Sequence, residues 1–403
     1  MRVVLYETEQ CVKALLPLTL SRPLFDMHIG GFTLLEAIPF IWKDVSVETI
    51  TRDHLAYIYP SLTQNSSEPT LFLNASVVPS LRTLGEIREL NFNENFLLVN
   101  QDNIIIGSYV AEVNNADLIY ASIGTYVQSS ASKKTTITAI KTSALSDLAI
   151  FNKRLLGENI LNYAHARIAD IYQKTAGVFM EEEIPCENVI FNTTKGVIYI
   201  EKNVSIEPFT YLVGPLYIKS ETQIRSHSRL ENSFFGRNTR IGGEISSSVI
   251  ESYTNKMHYG YVGDSYVGSW VNLGAGTTTS NIKNSYGAII MNGVHTHEQF
   301  LGSVICDYVK TAINTSLYTG KVIGMNAHIY GTLTEDVPSF VNYVSKNNLI
   351  IYPLDVALKT AEKMRVRRNI PTTKEDAGVL SFAYAETEGK RKESGATEGK
   401  LLF

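Results

Sequence analysis

The sequence has 403 residues, and its 36 lysines and arginines against 40 aspartates and glutamates give a net charge of −4. A chain of this length exceeds one ordinary hydrophobic core, so two domains are expected. The charge excludes a polycationic surface for nucleic-acid phosphates, and no apolar run reaches the length of a membrane span. Three distant cysteines (Cys11, Cys186 and Cys306) form neither a disulfide framework nor a zinc spacing, so we expect a cytoplasmic protein.

Residues 1–148 alternate apolar runs with helical patterns. Three apolar runs predict strands: residues 3–6, 70–78 and 95–106. The first run begins directly after the N-terminal Met-Arg pair, which predicts no secretory signal. Residues 33–43 carry apolar side chains at helical spacing. Strands separated by helices predict a Rossmann-like α/β domain with a mainly parallel sheet.

The next segment and the end of the sequence have helical or polar patterns. Residues 149–184 predict a helical linker, because apolar residues recur at helical spacing through residue 173. Residues 346–385 predict a C-terminal helical segment with a basic patch: Lys363, Arg365, Arg367 and Arg368. This patch is either a solvated helix face capping the domain or a site for an anion such as a CoA phosphate. Residues 386–403 lack an apolar period and predict a mobile tail.

A period of six dominates the second half of the sequence. Aliphatic residues fall six apart over a long run: Ile200, Ile206, Leu212, Ile218, Ile224 and Leu230. The period resumes at Phe235 and Ile241 and returns at Leu317, Ile323 and Ile329. An α-helix cannot produce it, and an ordinary sheet does so only by chance. We therefore predict a parallel β-helix over residues 185–345, with three short strands in each turn and flat faces that favour a homotrimer.

Two segments of this region, GYVGD at residues 260–264 and VNLGAGT at residues 271–277, resemble a known acyltransferase family. It is the family of bifunctional UDP-N-acetylglucosamine pyrophosphorylases and glucosamine-1-phosphate N-acetyltransferases. The segments IGGEI (241–245) and SNIKN (280–284) are similar to a divergent branch of sugar nucleotidyltransferases. The resemblance implies a nucleotidyltransferase-like domain followed by a left-handed β-helix that forms trimers.

The resemblance also implies roles for individual residues of the β-helix. His258 matches the catalytic base, Tyr261 and Asn272 match sugar-phosphate positions, and Asn281 matches a further substrate-binding asparagine. Ala275 and Ser303 match positions near acetyl-CoA. The sequence departs from the family at Ile282, where a tyrosine is expected, and at Ser246, where the family has a lysine that binds the sugar phosphate.

Residues 17–23 (PLTLSRP) look like the segment that follows the phosphate loop of sugar-1-phosphate nucleotidyltransferases. That loop needs glycines for close backbone approach to phosphates, whereas residues 8–13 contain none. Lys13 and Arg22 remain as phosphate partners. Asp102 follows an apolar run, where the family has a carboxylate that binds Mg²⁺; the alternative is a strand-end turn, which Asp and Asn favour.

Acyl transfer to an amino sugar requires a free amine, and a neutral imidazole within hydrogen-bond reach can remove the amine proton. His258 fits this role, and a core histidine bonded to the backbone is the alternative. Asn272 and Asn281 either orient the substrate or belong to a structural ladder of stacked asparagines. His295 and His297 have donor atoms suited to a metal, although such a spacing is common by chance.

The leading hypothesis is an enzyme of nucleotide-sugar biosynthesis. Its β-helix would transfer an acetyl group from acetyl-CoA to an amino-sugar 1-phosphate, and its front domain would use Mg²⁺, a nucleoside triphosphate and a sugar 1-phosphate to form a UDP-GlcNAc-like nucleotide sugar. The alternative is a non-catalytic trimer that binds nucleotide sugars or acts as a scaffold, since both sites depart from the family. Neither nucleic acid nor membrane is an expected partner.

Overall fold

The computed structural model describes residues 1–60, 62, 68–113 and 118–400. It divides into two compact units, Met1–Ala144 and Leu145–Phe403. Among the described residues, no helix combines the length and the hydropathy needed to cross a bilayer.

The front unit is built on a mixed sheet with the strand order β2-β1-β3-β5-β4-β6. Its strands are β1 (Arg2–Tyr6), β2 (Ser46–Ile50), β3 (Thr70–Asn74), β4 (Phe96–Val99), β5 (Ile105–Val110) and β6 (Lys134–Thr136). Strand β5 runs antiparallel to both of its neighbours, and the other pairs are parallel. The predicted α/β class is confirmed, but the single strand predicted over residues 95–106 is a hairpin of β4 and β5.

Helices of the front unit pack beside this sheet. They are α1 (Glu9–Ala14), α2 (Leu34–Ile41), α3 (Asp53–Ala56), α4 (Leu81–Arg88) and α5 (Ile123–Ser129). Helix α2 begins where a capping box forms: Thr33 Oγ1 accepts from the Glu36 amide at 3.1 Å, and Glu36 Oε2 accepts from the Thr33 amide at 3.3 Å. Its apolar face (Leu34, Ala37, Ile38) is buried, as the helical spacing predicts.

The second unit consists mainly of short parallel strands wound into a coil. Its strands are β7 (Tyr172–Thr175), β8 (Val178–Met180), β9 (Ile190–Asn192), β10 (Ile198–Ile200), β11 (Ser205–Ile206), β12 (Tyr211–Ile218), β13 (Gln223–Ile224), β14 (Arg229–Phe235), β15 (Arg240–Ile241), β16 (Glu244–Ser246), β17 (Val249–Ile250), β18 (Asn255–Lys256), β19 (Tyr261–Gly263), β20 (Tyr266–Val267), β21 (Thr278–Thr279), β22 (Ile290–Met291), β23 (Val294–His295), β24 (Val304–Ile305), β25 (Lys310–Thr311), β26 (Ser316–Leu317), β27 (Val322–Ile323), β28 (His328–Ile329), β29 (Thr332–Leu333), β30 (Val341–Ser345) and β31 (Asn348–Ile351).

The residues of the six-residue period form the interior of this coil. Every aliphatic residue of the predicted run, from Ile200 to Leu230, is at most 7% exposed and belongs to one continuous apolar cluster. Equivalent residues stack in register on successive turns, as Ile206 does on Ile224 and Ile224 on Ile241. The predicted left-handed β-helix fold class is confirmed. Residues six positions apart lie on successive sides of a three-sided coil, and their side chains all point to its axis.

One corner of the coil carries a ladder of aromatic rings. Tyr253, Trp270 and Tyr308 occupy the same corner on successive turns, and each has a positive φ, between 60° and 66°. The ring centroids lie 4.4 Å apart between Tyr253 and Trp270, and 6.3 Å apart between Trp270 and Tyr308, with nearly parallel planes. Aromatic stacking thus follows the rise of the coil and gives this corner a flat apolar wall.

Replacing Gly242 by alanine is expected to destabilise the coil by about 3 kcal/mol, because overpacking against a backbone cannot relax through a rotamer change. A Cβ atom at Gly242 would lie 2.0 Å from the carbonyl oxygen of Met257 on the next turn. Urea unfolding measures the loss. Gly287→Ala is the matched control, since its Cβ would meet only Ser285 Oγ at 3.6 Å. Equal stabilities of the two variants would contradict the prediction.

Four helices of the described chain belong to the second unit: α6 (Leu145–Ala166), α7 (Leu354–Val366), α8 (Lys374–Glu386) and α9 (Glu388–Glu393). The helical linker predicted over residues 149–184 is helical only to Ala166, because strands β7 and β8 lie in its second part. Its helix α6 contacts β12 and β14 and is part of the coil unit. The structure differs from the predicted mobile tail, because residues 388–393 are helical. Arg391 explains the difference: it is 2% exposed, and its guanidinium lies 4.0 Å over the Tyr384 ring. Residues 401–403 of that prediction lie outside the described residues.

Candidate functional site

His258 lies at a corner of the coil between β18 and β19. Its side chain is exposed and lines a cavity of about 280 Å³, here called the His258 cavity. Gly260 lies at the same corner with a φ of 118°, and a Cβ atom there would lie 2.2 Å from the carbonyl oxygen of Thr277, so the close approach requires glycine. The structure therefore places His258 at the surface, and the alternative of a buried core histidine is wrong.

Polar residues stacked on one outward face of the coil form a wall of this cavity. Arg240 pairs with Asn255 in register, Asn255 with Asn272, and Asn272 with Lys310. The Asn255 side-chain amide donates to Asn272 Oδ1 at 3.3 Å. Asn272 is thus part of an asparagine ladder and also a lining residue. The ladder fixes the amide orientation, so the structural and the binding interpretations are compatible at this position.

The remaining lining comes from the next corner and from the end of α7. Ala275, which matches an acetyl-CoA position in the family, lines the His258 cavity together with Ile313 and Arg367. The carbonyl oxygen of Ala275 accepts from the Asn314 amide at 2.7 Å, which fixes the corner. The cavity therefore combines an imidazole, two guanidinium groups and an apolar side that includes the 70% exposed Ile313.

Lys256 lies inside the coil, two residues before His258. It occupies a position of the aliphatic period, in register with Ile241, and is 2% exposed. Its Nζ donates to the carbonyl oxygens of Gly242 at 2.9 Å and His258 at 2.6 Å. Burial lowers the pKa of this lysine to about 8. Sequence reasoning missed Lys256, although the period of six from Ile250 to Val262 passes through it and predicts an aliphatic residue there.

Replacing Lys256 by methionine is expected to flatten the pH dependence of stability between about pH 8 and 10.5. The pKa of Lys256 is about 8 in the folded protein against 10.5 ordinarily, so in this window the unfolded chain binds more protons. The free energy of unfolding therefore rises with pH, by about 3 kcal/mol from this group. Urea unfolding across the window measures the slope.

The exposed Lys359 supplies the matched control, Lys359→Met, which should keep the full slope. Lys310, whose pKa burial also lowers to about 8, remains in both variants, so the slope is expected to fall without vanishing. Identical slopes in Lys256→Met and Lys359→Met would show that the buried ammonium does not titrate as stated.

Tyr261 and Asn281 form a separate hydrogen-bonded cluster on the adjoining face. The Asn281 amide donates to Tyr261 Oη at 3.1 Å and to Asp264 Oδ2 at 2.7 Å, and Ser246 Oγ lies 2.9 Å from Tyr261 Oη. Lys153 of α6 reaches Asp264 Oδ1 at 2.9 Å. Burial is the main cause that raises the pKa of Tyr261. The structure thus brings Tyr261 and Asn281 together, while His258, Asn272 and Ala275 line the cavity.

Ser303 lies in the interior of the coil. Its side chain is fully buried and donates to the carbonyl oxygen of Tyr318 at 3.3 Å, and its amide donates to Ser265 Oγ at 3.0 Å. The structure does not place Ser303 among the residues that line the His258 cavity. Its contact with acyl-CoA stays a prediction.

In the front unit, the segment predicted as a phosphate loop is helical. Helix α1 begins after a cap in which Thr8 accepts from the Cys11 amide, and the Lys13 Nζ lies 2.6 Å from Glu9 Oε1 on the same exposed helix face. Arg22 is 7% exposed. The absence of glycine explains the difference from a phosphate loop, because these residues all favour ordinary helical or extended backbone.

A buried carboxylate organises the residues that follow β1. Glu7 is fully buried and accepts from the amide of Leu24 at 3.1 Å, from Thr51 Oγ1 at 2.5 Å and from Arg52 Nε at 3.2 Å. Arg52 also donates to the carbonyl oxygens of Thr19 and Arg22. This cluster connects the segment containing Arg22 to the carboxyl end of β1. Sequence reasoning did not identify Glu7 or Arg52.

Asp102 lies in the turn of the β4–β5 hairpin. Asn100 Oδ1 accepts from the amides of Asp102 at 3.1 Å and Ile104 at 2.9 Å, as in an Asx turn. Within the part of the chain that the structure describes, no group of three or more His, Cys, Asp or Glu residues is placed to hold a metal. The turn interpretation accounts for Asp102, while metal binding there and at His295 and His297 stays a prediction.

Comparison with known proteins finds similarity to two groups of transferases. Residues 3–160 match the family model described as sugar nucleotidyl transferase. The chain is also similar to proteins named bifunctional protein GlmU: that of Trichormus variabilis is 26% identical over 199 residues, which cover 40% of this chain and 41% of the relative. The GlmU of Methanococcus vannielii is 33% identical over 145 residues, covering 34% of this chain and 33% of the relative. The predicted relationship to this family is confirmed.

The chain spans less than half of the length of these relatives. Solved structures similar to it include the UDP-N-acetylglucosamine acyltransferase of Francisella novicida, with 14% identity and a TM-score of 0.31 over 55% of this chain and 82% of that chain. Another is the N-acyltransferase AntD of Bacillus cereus, with 14% identity and a TM-score of 0.24 over 49% of this chain and 98% of that chain.

Proposed function

We propose that the coil transfers an acyl group from an acyl-CoA, acetyl-CoA in the first instance, to the amine of a phosphorylated amino sugar. The observation that carries this proposal is the exposed imidazole of His258 in a cavity lined by Arg240 and Arg367. An imidazole can take a proton from the amine, and guanidinium groups bind phosphate through charge-assisted hydrogen bonds. The relationship to bifunctional transferases supports the same chemistry.

In the proposed step, His258 removes a proton as the amine nitrogen attacks the thioester carbonyl. The new C–N bond forms, the C–S bond breaks, and the CoA thiolate takes a proton from the imidazolium. Asn272, held by Asn255, would orient the acceptor. From inside the coil, the Lys256 ammonium donates a hydrogen bond to the carbonyl oxygen of His258 and so helps to position this residue. The reaction needs no metal and no redox partner.

The proposal is tested by measuring thiol release from acetyl-CoA with a panel of amino-sugar 1-phosphates and nucleotide-linked amino sugars. We expect release only when an acceptor is present, together with an acylated product of the expected mass. A panel without any acceptor-dependent release would contradict the proposal. Sedimentation of the same sample tests the homotrimer, which the flat faces of the coil favour.

For the front unit, the match to sugar nucleotidyl transferases supports transfer of a nucleotide from UTP or dTTP to a sugar 1-phosphate with Mg²⁺. Lys13 and Arg22 would be the phosphate partners and Asp102 the metal ligand. A second function is favoured by helix α1, which occupies the segment of the expected phosphate loop. It is binding of a nucleotide or nucleotide sugar without transfer.

Pyrophosphate release separates the two functions of the front unit. A transferase releases pyrophosphate from a mixture of nucleoside triphosphate, sugar 1-phosphate and Mg²⁺. A binding protein releases none, yet its melting temperature rises when nucleotide or nucleotide sugar is added. In either case we propose a role in the formation or use of UDP-GlcNAc-like nucleotide sugars in the cytoplasm.

A further inference from the structure

Lys310 carries a half-buried amine that the proposed acyl transfer does not use. It lies on β25, in register between Asn272 and His328. Its side chain lines a cavity of about 240 Å³, here called the Trp270 cavity. Aromatic and thioether side chains line this cavity beside three cations: Tyr253, Trp270 and Met364, with Lys310, Arg367 and Arg368. The amine is therefore open to a space large enough for a small molecule.

Helix α7 brings further positive charge to this space. Arg365 forms an ion pair with Asp376 of α8, and its guanidinium lies 5.2 Å over the Trp270 ring, so this arginine fixes the helix against the coil. Arg367 and Arg368 line the Trp270 cavity instead. None of the described residues that line it is an aspartate or a glutamate. The cavity thus offers no negative charge that would stabilise the Lys310 ammonium.

The surroundings of Lys310 favour its neutral form. Its Nζ donates to the carbonyl oxygen of Tyr308 at 3.0 Å, and burial lowers its pKa to about 8. About a quarter of such an amine is neutral at pH 7.5, against about one part in a thousand for a lysine at the ordinary pKa of 10.5. A desolvated lysine beside other cations is a common form of activated nucleophile.

Lys256 provides a comparison within the same coil. Burial lowers its pKa to about 8 as well. It is only 2% exposed and lines neither cavity, and its Nζ donates to two carbonyl oxygens, of Gly242 and His258. The two lysines therefore share a lowered pKa but differ in access, because only Lys310 adjoins a cavity.

We propose that Lys310 Nζ is an acylation site, which reacts with an acyl phosphate or an acyl thioester whose activated acyl group enters the Trp270 cavity. The neutral amine attacks the carbonyl carbon and the new C–N bond forms. The C–O bond of the acyl phosphate or the C–S bond of the thioester breaks, and the proton lost by the nitrogen goes to the departing phosphate or thiolate. The product is an amide, which removes one positive charge from the cavity.

The test is incubation of the full chain at pH 7.5 with acetyl phosphate and, separately, with S-acetyl-N-acetylcysteamine, an uncharged thioester without a nucleotide. Peptide mass spectrometry follows acetylation of each lysine with time. We expect Lys310 to react at least about fivefold faster than the exposed Lys359, because its larger neutral fraction outweighs the lower nucleophilicity of a less basic amine. Lys256 should stay unmodified in the folded protein. The faster of the two reagents identifies the class of donor.

The pH dependence of the reaction gives a second readout. The rate at Lys310 should level off above about pH 8, whereas that of an ordinary lysine rises to about pH 10. The titratable and charged groups next to Lys310 are His328 on β28, Tyr253 and Tyr308 at the aromatic corner, and Arg367 and Arg368 on α7. The pKa of His328 is lowered to about 3, that of Arg368 is lowered to about 10 and that of Tyr308 is raised to about 12, so these three keep their charge near pH 8.

Lys310→Arg is the control variant, because it keeps the positive charge but offers no amine to acylate. Its rapid acetylation should fall by one group per chain. Acetylation of Lys310 no faster than that of Lys359 would overturn the inference. Equal rates at Lys256 and Lys310 would overturn it too, because reactivity would then follow from unfolding of the coil and not from the cavity.

The inference does not rest on the proposed acyl transfer, since neither an acceptor sugar nor His258 takes part. Acylation of Lys310 releases at most one thiol per chain, whereas turnover with an acceptor releases many. A His258→Gln protein should therefore acetylate Lys310 at the native rate. Loss of the modification in this variant would show that it is a by-product of acyl transfer and would overturn the inference. Failure of acceptor-dependent turnover would contradict only the proposed function.

Discussion

His258→Gln is expected to lower kcat for acyl transfer by between about 10²- and 10⁴-fold, the range for loss of a general base. Glutamine keeps a polar side chain of similar length but cannot take the amine proton at neutral pH. Because His258 is exposed at a corner, the substitution should leave the melting temperature unchanged. Initial rates of thiol release at varied acetyl-CoA and acceptor concentrations separate kcat from KM, and KM for acetyl-CoA should change little.

The matched control for this experiment is His227→Gln. His227 is also exposed on the coil, where its ring stacks on Phe209 with a centroid distance of 5.3 Å, and it lines neither cavity. Its replacement should leave the rate unaltered. A His258→Gln protein with the native kcat would show that the amine loses its proton to another group, and the assignment of His258 as base would fail.

Glu7→Ala is expected to destabilise the front unit by about 3–5 kcal/mol, the loss typical of breaking a buried ion pair. Glu7 is fully buried, and the Arg52 side chain that it pairs with is only 11% exposed. The substitution leaves the guanidinium without its carboxylate and the amide of Leu24 without its acceptor. Urea unfolding of a Trp270→Phe background measures the loss, because Trp42 of the front unit is then the remaining tryptophan.

Glu9→Ala serves as the control for Glu7. Glu9 pairs with Lys13 on an exposed face, so its replacement should not measurably change the unfolding midpoint. A Glu7→Ala protein as stable as Glu9→Ala would mean that the Glu7 cluster contributes little to the fold. The cluster would then be a candidate for a functional role instead of a structural one.

Much of the coil could be predicted because its signal is local and repeats. A residue that points inward recurs every six positions, so residues such as Leu212 and Ile218 identify the architecture without any knowledge of contacts. The same period passes through Lys256, and there the sequence alone misleads. Whether a buried ammonium is tolerated depends on carbonyl oxygens of Gly242 and His258, which only the fold brings within reach.

The front unit was predicted less completely, for a different physical reason. An apolar run shows that a strand is buried but does not show where it turns, so the strands on either side of Asn100 were predicted as one. The turn depends on the side chain of Asn100, which accepts hydrogen bonds from the amides of Asp102 and Ile104. The pairing of Glu7 with Arg52 joins residues far apart in sequence, and no local pattern marks such a pair.

The sequence by itself determined the repeating coil and the α/β character of the front unit, because each depends on neighbours within a few residues. The tertiary structure alone decided that Arg240, Lys310, Arg367 and Arg368 share one pair of cavities and that Tyr261 and Asn281 bond to Asp264. Residues on different turns of the coil and on α7 meet only after the chain has wound. Electrostatic and hydrogen-bond partners across such distances are fixed by the geometry of the coil.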